Sequence, residues 1–205
     1  MELDPREMDP KQCYKLVIGC VVPRPIAVVS TVSPEGVPNI APFSYFTVAS
    51  HTPLSLVFTV GGPKGDGTMK DTLRNAQPAE AGGLGEFVVN IADESYAEAM
   101  AATGESLPAE VSEFAQAGLT PIPSRVVRPP RVGEAAVAFE CQTTHVIPIG
   151  SARLIIGEVR HIHVRDGLVD ERMHVDASRL AAIGRMAGDD YVRTHDRFEI
   201  RTRGR

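Results

Sequence analysis

The stretch that most constrains the fold of this 205-residue chain runs from residue 135 to residue 164. Residues 135–147 and 153–164 are two long apolar, β-branched runs with Pro148-Ile149-Gly150-Ser151 between them. Strands joined by so short a turn pair antiparallel, because a parallel partner needs a crossover of about a dozen residues or more. Further strands are predicted at 26–32, 43–49, 54–60 and 86–91, and 191–200 reads as a last strand or extended tail. The continuous apolar character of 26–32 predicts that both of its faces are covered. Helical signals are short. Asp9-Pro10 opens a helix to about Ile18, which Pro23 and Pro25 stop. Residues 68–76 form a second, with Thr68 and Asp71 at capping-box spacing. Asp93 caps a third over 94–102, and single turns are expected at 109–117 and 176–181. Many strands and no alternating βαβ rhythm predict a mainly β chain, a closed or nearly closed antiparallel barrel with a few helices at its ends.

Composition narrows the function. The chain has length for one domain, 1–205, with no polar linker dividing it. A net charge of −5 disfavours a general nucleic-acid binder, which needs a basic face to release counterions. The tail Arg201-Thr202-Arg203-Gly204-Arg205 reads as a solvated end. Cys13, Cys20 and Cys141 make an odd set with no C-x-x-C pair, so neither a disulfide framework nor a zinc motif is expected. The acidic start lacks the apolar core of a signal peptide. The most apolar stretch, 16–32, is broken by Arg24 and two prolines, so no membrane span is expected and the cytoplasm is the default location.

Two segments carry chemistry. One is Pro23-Arg24-Pro25 running into a strand that ends at Ser30-Thr31, then Asn39 and Ala41-Pro42-Phe43-Ser44. Ser30 and Thr31 point to opposite faces of their strand, so one of them reaches any given ligand. Pro42 lacks an N–H, which predicts that the chain leaves sheet pairing there and frees backbone groups to meet the edge of a ring. Phe43, Tyr45 and Phe46 are the densest aromatic cluster, which core packing explains in part. The other segment is Lys70-Asp71-Thr72 at a helix start, where a cation, a hydroxyl and free N–H groups suit a phosphate. Taken alone that pattern fits an ordinary surface helix better, and the Asp71 carboxylate would repel a phosphate. Together the two segments suggest a flavin mononucleotide (FMN) site. Arg185, between Gly184 and Gly188, and Tyr191 are a later candidate for the same ligand, though alone they fit a surface loop. His161 and His163 share a strand face, but no third ligand at suitable spacing stands near them, so no metal site is expected. No nucleophile, acid or base motif is present.

These residues, with Asn75, Glu86 to Asn90, Glu140-Cys141, Gly157-Glu158-Val159 and Gly184-Arg185, resemble the flavin reductase-like proteins of the FMN-binding split-barrel fold. The branch they are most similar to is the small reductase component of two-component monooxygenases. The resemblance spans about residues 14–198. It implies a homodimer with one FMN per subunit, NADH or NADPH as reductant, and a separate monooxygenase as a partner. It implies that Ser30, Thr31 and Asn39 line the ribityl and ring region, that the backbone of Ala41, Pro42, Phe43 and Ser44 meets the ring edge, and that Lys70, Asp71 and Thr72 meet the phosphate. It implies too that Arg185 and Tyr191 close the site, from the same or the partner subunit. No catalytic side chain is implied, because hydride passes directly from nicotinamide to flavin. The alternative is a split-barrel protein that stores FMN or uses it on another substrate.

Overall fold

The computed structural model describes residues 1–200; the basic tail 201–205 lies outside the described residues. In chain order the elements are α1 (Pro10–Cys20), β1 (Arg24–Pro25), β2 (Ala27–Val32), β3 (Pro38–Phe43), β4 (Phe46–His51), β5 (Leu54–Val60) and α2 (Asp71–Ala76). There follow β6 (Glu86–Ile91), α3 (Ala97–Ala102), α4 (Glu113–Ala117), β7 (Pro121–Ile122), β8 (Arg131–Val132), β9 (Val137–Ile149), β10 (Ala152–Val164), α5 (Ala177–Leu180), β11 (Ile183–Arg185) and β12 (Tyr191–Arg193). Short 3₁₀ turns lie at Ala79–Ala81 and Glu94–Tyr96.

Seven strands form one antiparallel sheet in the order β3-β2-β6-β9-β10-β5-β4. The long β9–β10 hairpin is its spine, as the sequence predicts. The two edges, β3 and β4, follow one another in the chain through Ser44 and Tyr45, so the sheet curls back on itself. The Thr59 N–H donates to Tyr45 O at 2.9 Å, which carries the β4–β5 pairing up to that junction. This is the expected mainly β, antiparallel split barrel with small peripheral helices.

The barrel interior is apolar. Phe43, Phe58 and Phe87 pack in sequence, tilted and then edge-on, with ring centroids 5.2 Å apart at each step, surrounded by Val29, Val60, Val89, Cys141 and Ile155. Burial pushes the Cys141 thiol well up, so it stays an inert thiol. Gly157 lies under Phe87: a Cβ there would stand 2.4 Å from Phe87 Cζ, so the ring fills the space a side chain would need. The second face of β2, β6 and β9 is covered too. Val28, Ile40, Tyr96, Met100, Phe114 and Val132 form a second apolar cluster there, and every residue of β2 is buried.

Three local expectations change. Pro42 does not leave the sheet; it pairs with Val28 in β3. β3 is an edge strand, where one side of the backbone has no ladder partner and a missing N–H costs nothing. The capping box at Thr68 does not form. The helix starts at Asp71, capped by Lys70 without a side-chain bond, because Thr68 is held by Asp66 and Asp71 is drawn to two cations. Finally, 191–200 yields only the three residues of β12. With β1 and β11 this strand makes a small separate sheet, order β1-β11-β12, which brings Arg185 beside Arg24 and opposite Tyr191.

Candidate functional site

A cavity of about 340 Å³ opens between β3, the start of α2 and the segments around 63–65 and 103–107. Asn39, Ala41, Pro42 and Phe43 form one wall, and Lys70, Asp71 and Thr72 face them. Segments some thirty residues apart meet there because α2 lies across β2 and β3. A second hollow of about 270 Å³ shares Pro42 and Gly104 with the first, and Ser44, Arg185 and Tyr191 line it. The Arg185 guanidinium lies 4.5 Å from the centre of the Tyr191 ring and donates to Gly188 O.

The two residues at the end of β2 divide as strand alternation requires. Thr31 faces the cavity side but is fully buried beneath it. Its hydroxyl accepts from Asn39 Nδ2 at 3.2 Å and Asn75 Nδ2 at 3.1 Å. Asn39 Nδ2 also donates to Thr72 Oγ1 at 3.0 Å. Thr72 Oγ1 thus accepts from below, and its own proton has no acceptor among the described residues. Ser30 lies on the other side of the strand, donating to Pro130 O at 2.5 Å, and lines neither hollow. The Phe43 ring points into the barrel core against Phe58, so the cavity meets the edge of this residue, not a stacking face.

Charge in the cavity is arranged in a way the sequence did not reveal. Asp71 is held between Lys64 Nζ at 2.6 Å and Arg74 Nη2 at 2.7 Å. Its repulsion toward an anion is therefore neutralised. Lys64 also donates to Leu107 O at 3.0 Å, tying the 61–67 loop across the mouth to the 103–108 segment. The sequence leaves the role of Lys64 in the 61–67 loop open, because its partners Asp71 and Leu107 lie outside that loop, out of reach of local spacing. The side chain of Lys70, half-buried on the wall, has no ion pair or hydrogen bond among the described residues. Of the two lysines that line the cavity, Lys64 is paired with Asp71 and Lys70 is not.

Glu113, at the cavity rim, accepts from the Ile40 N–H at 3.1 Å. Burial raises its pKa, and the nearby Asp71 charge adds to this, against the pull of backbone N–H groups and Lys64. The folded state thus holds this proton more tightly than the unfolded chain does. Its stabilising contribution is complete below the ordinary glutamate pKa and is lost as pH rises through the raised folded value. Glu113→Gln keeps the acceptor for Ile40 and removes the charge. The variant is expected to match the parent protein's melting temperature near pH 4 and to exceed it at neutral pH. Melts across that range check this; a constant difference at every pH refutes it.

On the face of β9 opposite Cys141, Glu140 is fully buried. Its oxygens accept from the Arg125 and Val126 N–H groups, both at 2.7 Å, and His163 Nε2 lies 2.5 Å from Oε1. Burial alone would push this carboxyl up; the two amides and the imidazole outweigh it and hold the pKa below its ordinary value.

No described helix is long and apolar enough to cross a membrane. The chain matches the flavin reductase like domain over residues 18–184. It is 42% identical to an uncharacterized protein of Aquifex aeolicus, covering 98% of this chain and 100% of that one. Among solved structures it is similar to nitrilotriacetate monooxygenase component B from Bacillus cereus, with a TM-score of 0.90, 39% identity and 98% of each chain covered. It is also similar to a 2-nitrobenzoate 2-nitroreductase from Pseudomonas fluorescens, with a TM-score of 0.87, 31% identity and 98% and 96% of the two chains covered.

Proposed function

The chain belongs to the flavin reductase-like domain family, and from that premise we propose that it is an FMN-binding oxidoreductase in which NADH or NADPH is the reductant. The reading extends to one functional domain over 1–205 that supplies reduced flavin to a separate monooxygenase. The observation that carries it is the cavity in which Asn39, the Ala41–Phe43 edge and Thr72 surround an unpaired Lys70.

The residues present fit FMN. Lys70 offers a full positive charge to a phosphate, and the Thr72 hydroxyl has a proton to donate. Lys64 and Arg74 cancel Asp71. The open edge of β3 offers carbonyl groups to a ring edge, its Ile40 N–H being held by Glu113, and Arg185 with Tyr191 bounds the adjoining hollow. FMN, when bound, supplies the hydride-accepting ring, so no acid or base is required of the protein. What the protein does is bind, orient and exclude water. The similarity to a monooxygenase component B supports the oxygenase partner, and the nitroreductase supports redox chemistry.

A homodimer is part of the same reading. Tyr14 and Val17 of α1 and its C-cap Val21 form a stripe, all more than half exposed, and no residue of α1 is buried in its own chain. Val17 and Val21 border a cleft with the exposed Tyr45 of the adjoining barrel edge. A second copy covering this face accounts for its apolar character; sedimentation returning a monomer mass at micromolar concentration removes that part.

The experiment is an anaerobic absorbance titration of FMN-reconstituted protein with NADH, then NADPH. Bleaching of the flavin bands is expected and identifies the preferred donor. Flavin that binds but stays oxidised with both donors overturns the reductase reading and leaves an FMN protein with another reductant or a storage role.

A further inference from the structure

Glu140, His161 and His163 form a compact set outside the cavity, on the far face of the β9–β10 hairpin. One ligand atom from each lies within 4.8 Å of the other two. The sequence predicts no such set, because His161 and His163 have no third ligand at local spacing. The third comes from across the sheet.

The cause is a β-bulge. Val159 pairs with Cys141, but the next pairing is His161 with Glu140, so Arg160 is the extra residue. In a regular strand Val159 and His161 would share a face. The bulge shifts the alternation by one and turns both histidines to the Glu140 side. Bulges re-aim side chains in this way and recur next to functional sites.

We propose that Glu140, His161 and His163 bind a late first-row divalent cation, with Zn²⁺ as the type. Two imidazoles and one carboxylate are a donor set such cations favour, and three protein ligands leave a position for water. Glu140 is held by the Arg125 and Val126 amides, the kind of outer-shell support that fixes a ligating carboxylate. His161 carries the second, independent observation. Its half-buried ring packs edge-on against His163, with centroids 4.7 Å apart, yet neither of its nitrogens has a hydrogen-bond partner among the described residues. A cation gives those nitrogens a use. It takes the place of the proton between His163 Nε2 and Glu140 Oε1, and that imidazole then carries its proton on the other nitrogen. The bound ion would cross-link β9 to β10 at the bulge.

The test uses untagged full-length protein stripped with a chelator and titrated with Zn²⁺ against a chromophoric competitor, with Co²⁺ as a spectroscopic probe. One Zn²⁺ per chain is expected, with visible d–d bands of bound Co²⁺. The melting temperature should rise by about 5–10 °C at a hundredfold excess over the dissociation constant. His161→Ala removes a side chain with no hydrogen bond to lose, so its fold is expected to persist; its Zn²⁺ affinity should fall at least about tenfold. His174→Ala, at an exposed histidine elsewhere, should leave binding unchanged. Absence of stoichiometric binding, or binding that survives His161→Ala, overturns the proposal. The site shares no residue with the cavity, so neither result bears on FMN.

Discussion

Replacing Lys70 by alanine is expected to weaken FMN binding about 10- to 100-fold while leaving the melting temperature of the flavin-free protein within about 1 °C. A hydrogen bond to a charged group contributes roughly 1.5–3 kcal/mol, and about 1.4 kcal/mol is a factor of ten in affinity. The effect on the flavin-free protein is small because Lys70 makes no ion pair or hydrogen bond that its loss would break. Lys64→Ala is the informative contrast. It strips one of two cations from the buried Asp71 and frees the 61–67 loop from Leu107, so it should lower both FMN affinity and flavin-free stability. Fluorescence quenching titrations with FMN and parallel melts separate the two effects. If Lys70→Ala binds FMN as tightly as the parent protein, the phosphate does not lie against this wall, and the placement of FMN in the cavity fails with it.

That contrast shows where sequence reading stops. The β9–β10 hairpin, β6 and the Asp9 and Asp93 caps were legible because each signal is local: strand runs, turn residues, or an acceptor side chain one position before a helix. The opposite facing of Ser30 and Thr31 was legible for the same reason. Pro42 was misread because tolerance of proline depends on whether a strand is at an edge, which is a property of the whole sheet. Lys64 stayed hidden because its role is set by Asp71 and Leu107, contacts the chain makes only after folding. The turning of His161 and His163 toward Glu140 depends on a one-residue bulge, and no spacing rule along β10 contains it. Segments that bear the candidate ligand groups were visible; the charge balance around Asp71 was not.

Arg24 is the other residue whose weight only the fold reveals, and its substitution is expected to be the most destabilising change considered. Its guanidinium is buried, and no carboxylate pairs with it among the described residues. Instead Nη1 donates to Ile18 O at 2.6 Å and Val21 O at 2.7 Å, Nη2 donates to Met186 O at 2.8 Å, and Nε donates to Ser44 Oγ at 3.2 Å. The first two acceptors lie at the C-terminal end of α1, where the helix dipole is negative, so the helix supplies the counter-charge. Because α1 buries no residue of its own, this fork ties it to β1, β11 and the Ser44 wall of the site. Lysine keeps the charge but has neither the planar fork nor enough donors in the right directions. Arg24→Lys should therefore cost about 3 kcal/mol, roughly 6–12 °C in melting temperature for a chain of this size. Hydrogen exchange should rise selectively in residues 10–21, and FMN affinity should fall as Ser44 and Met186 lose their tether. A conservative substitution with this effect separates fork geometry from charge; an Arg24→Lys protein that melts within about 1 °C of the parent would show that charge alone holds α1 in place.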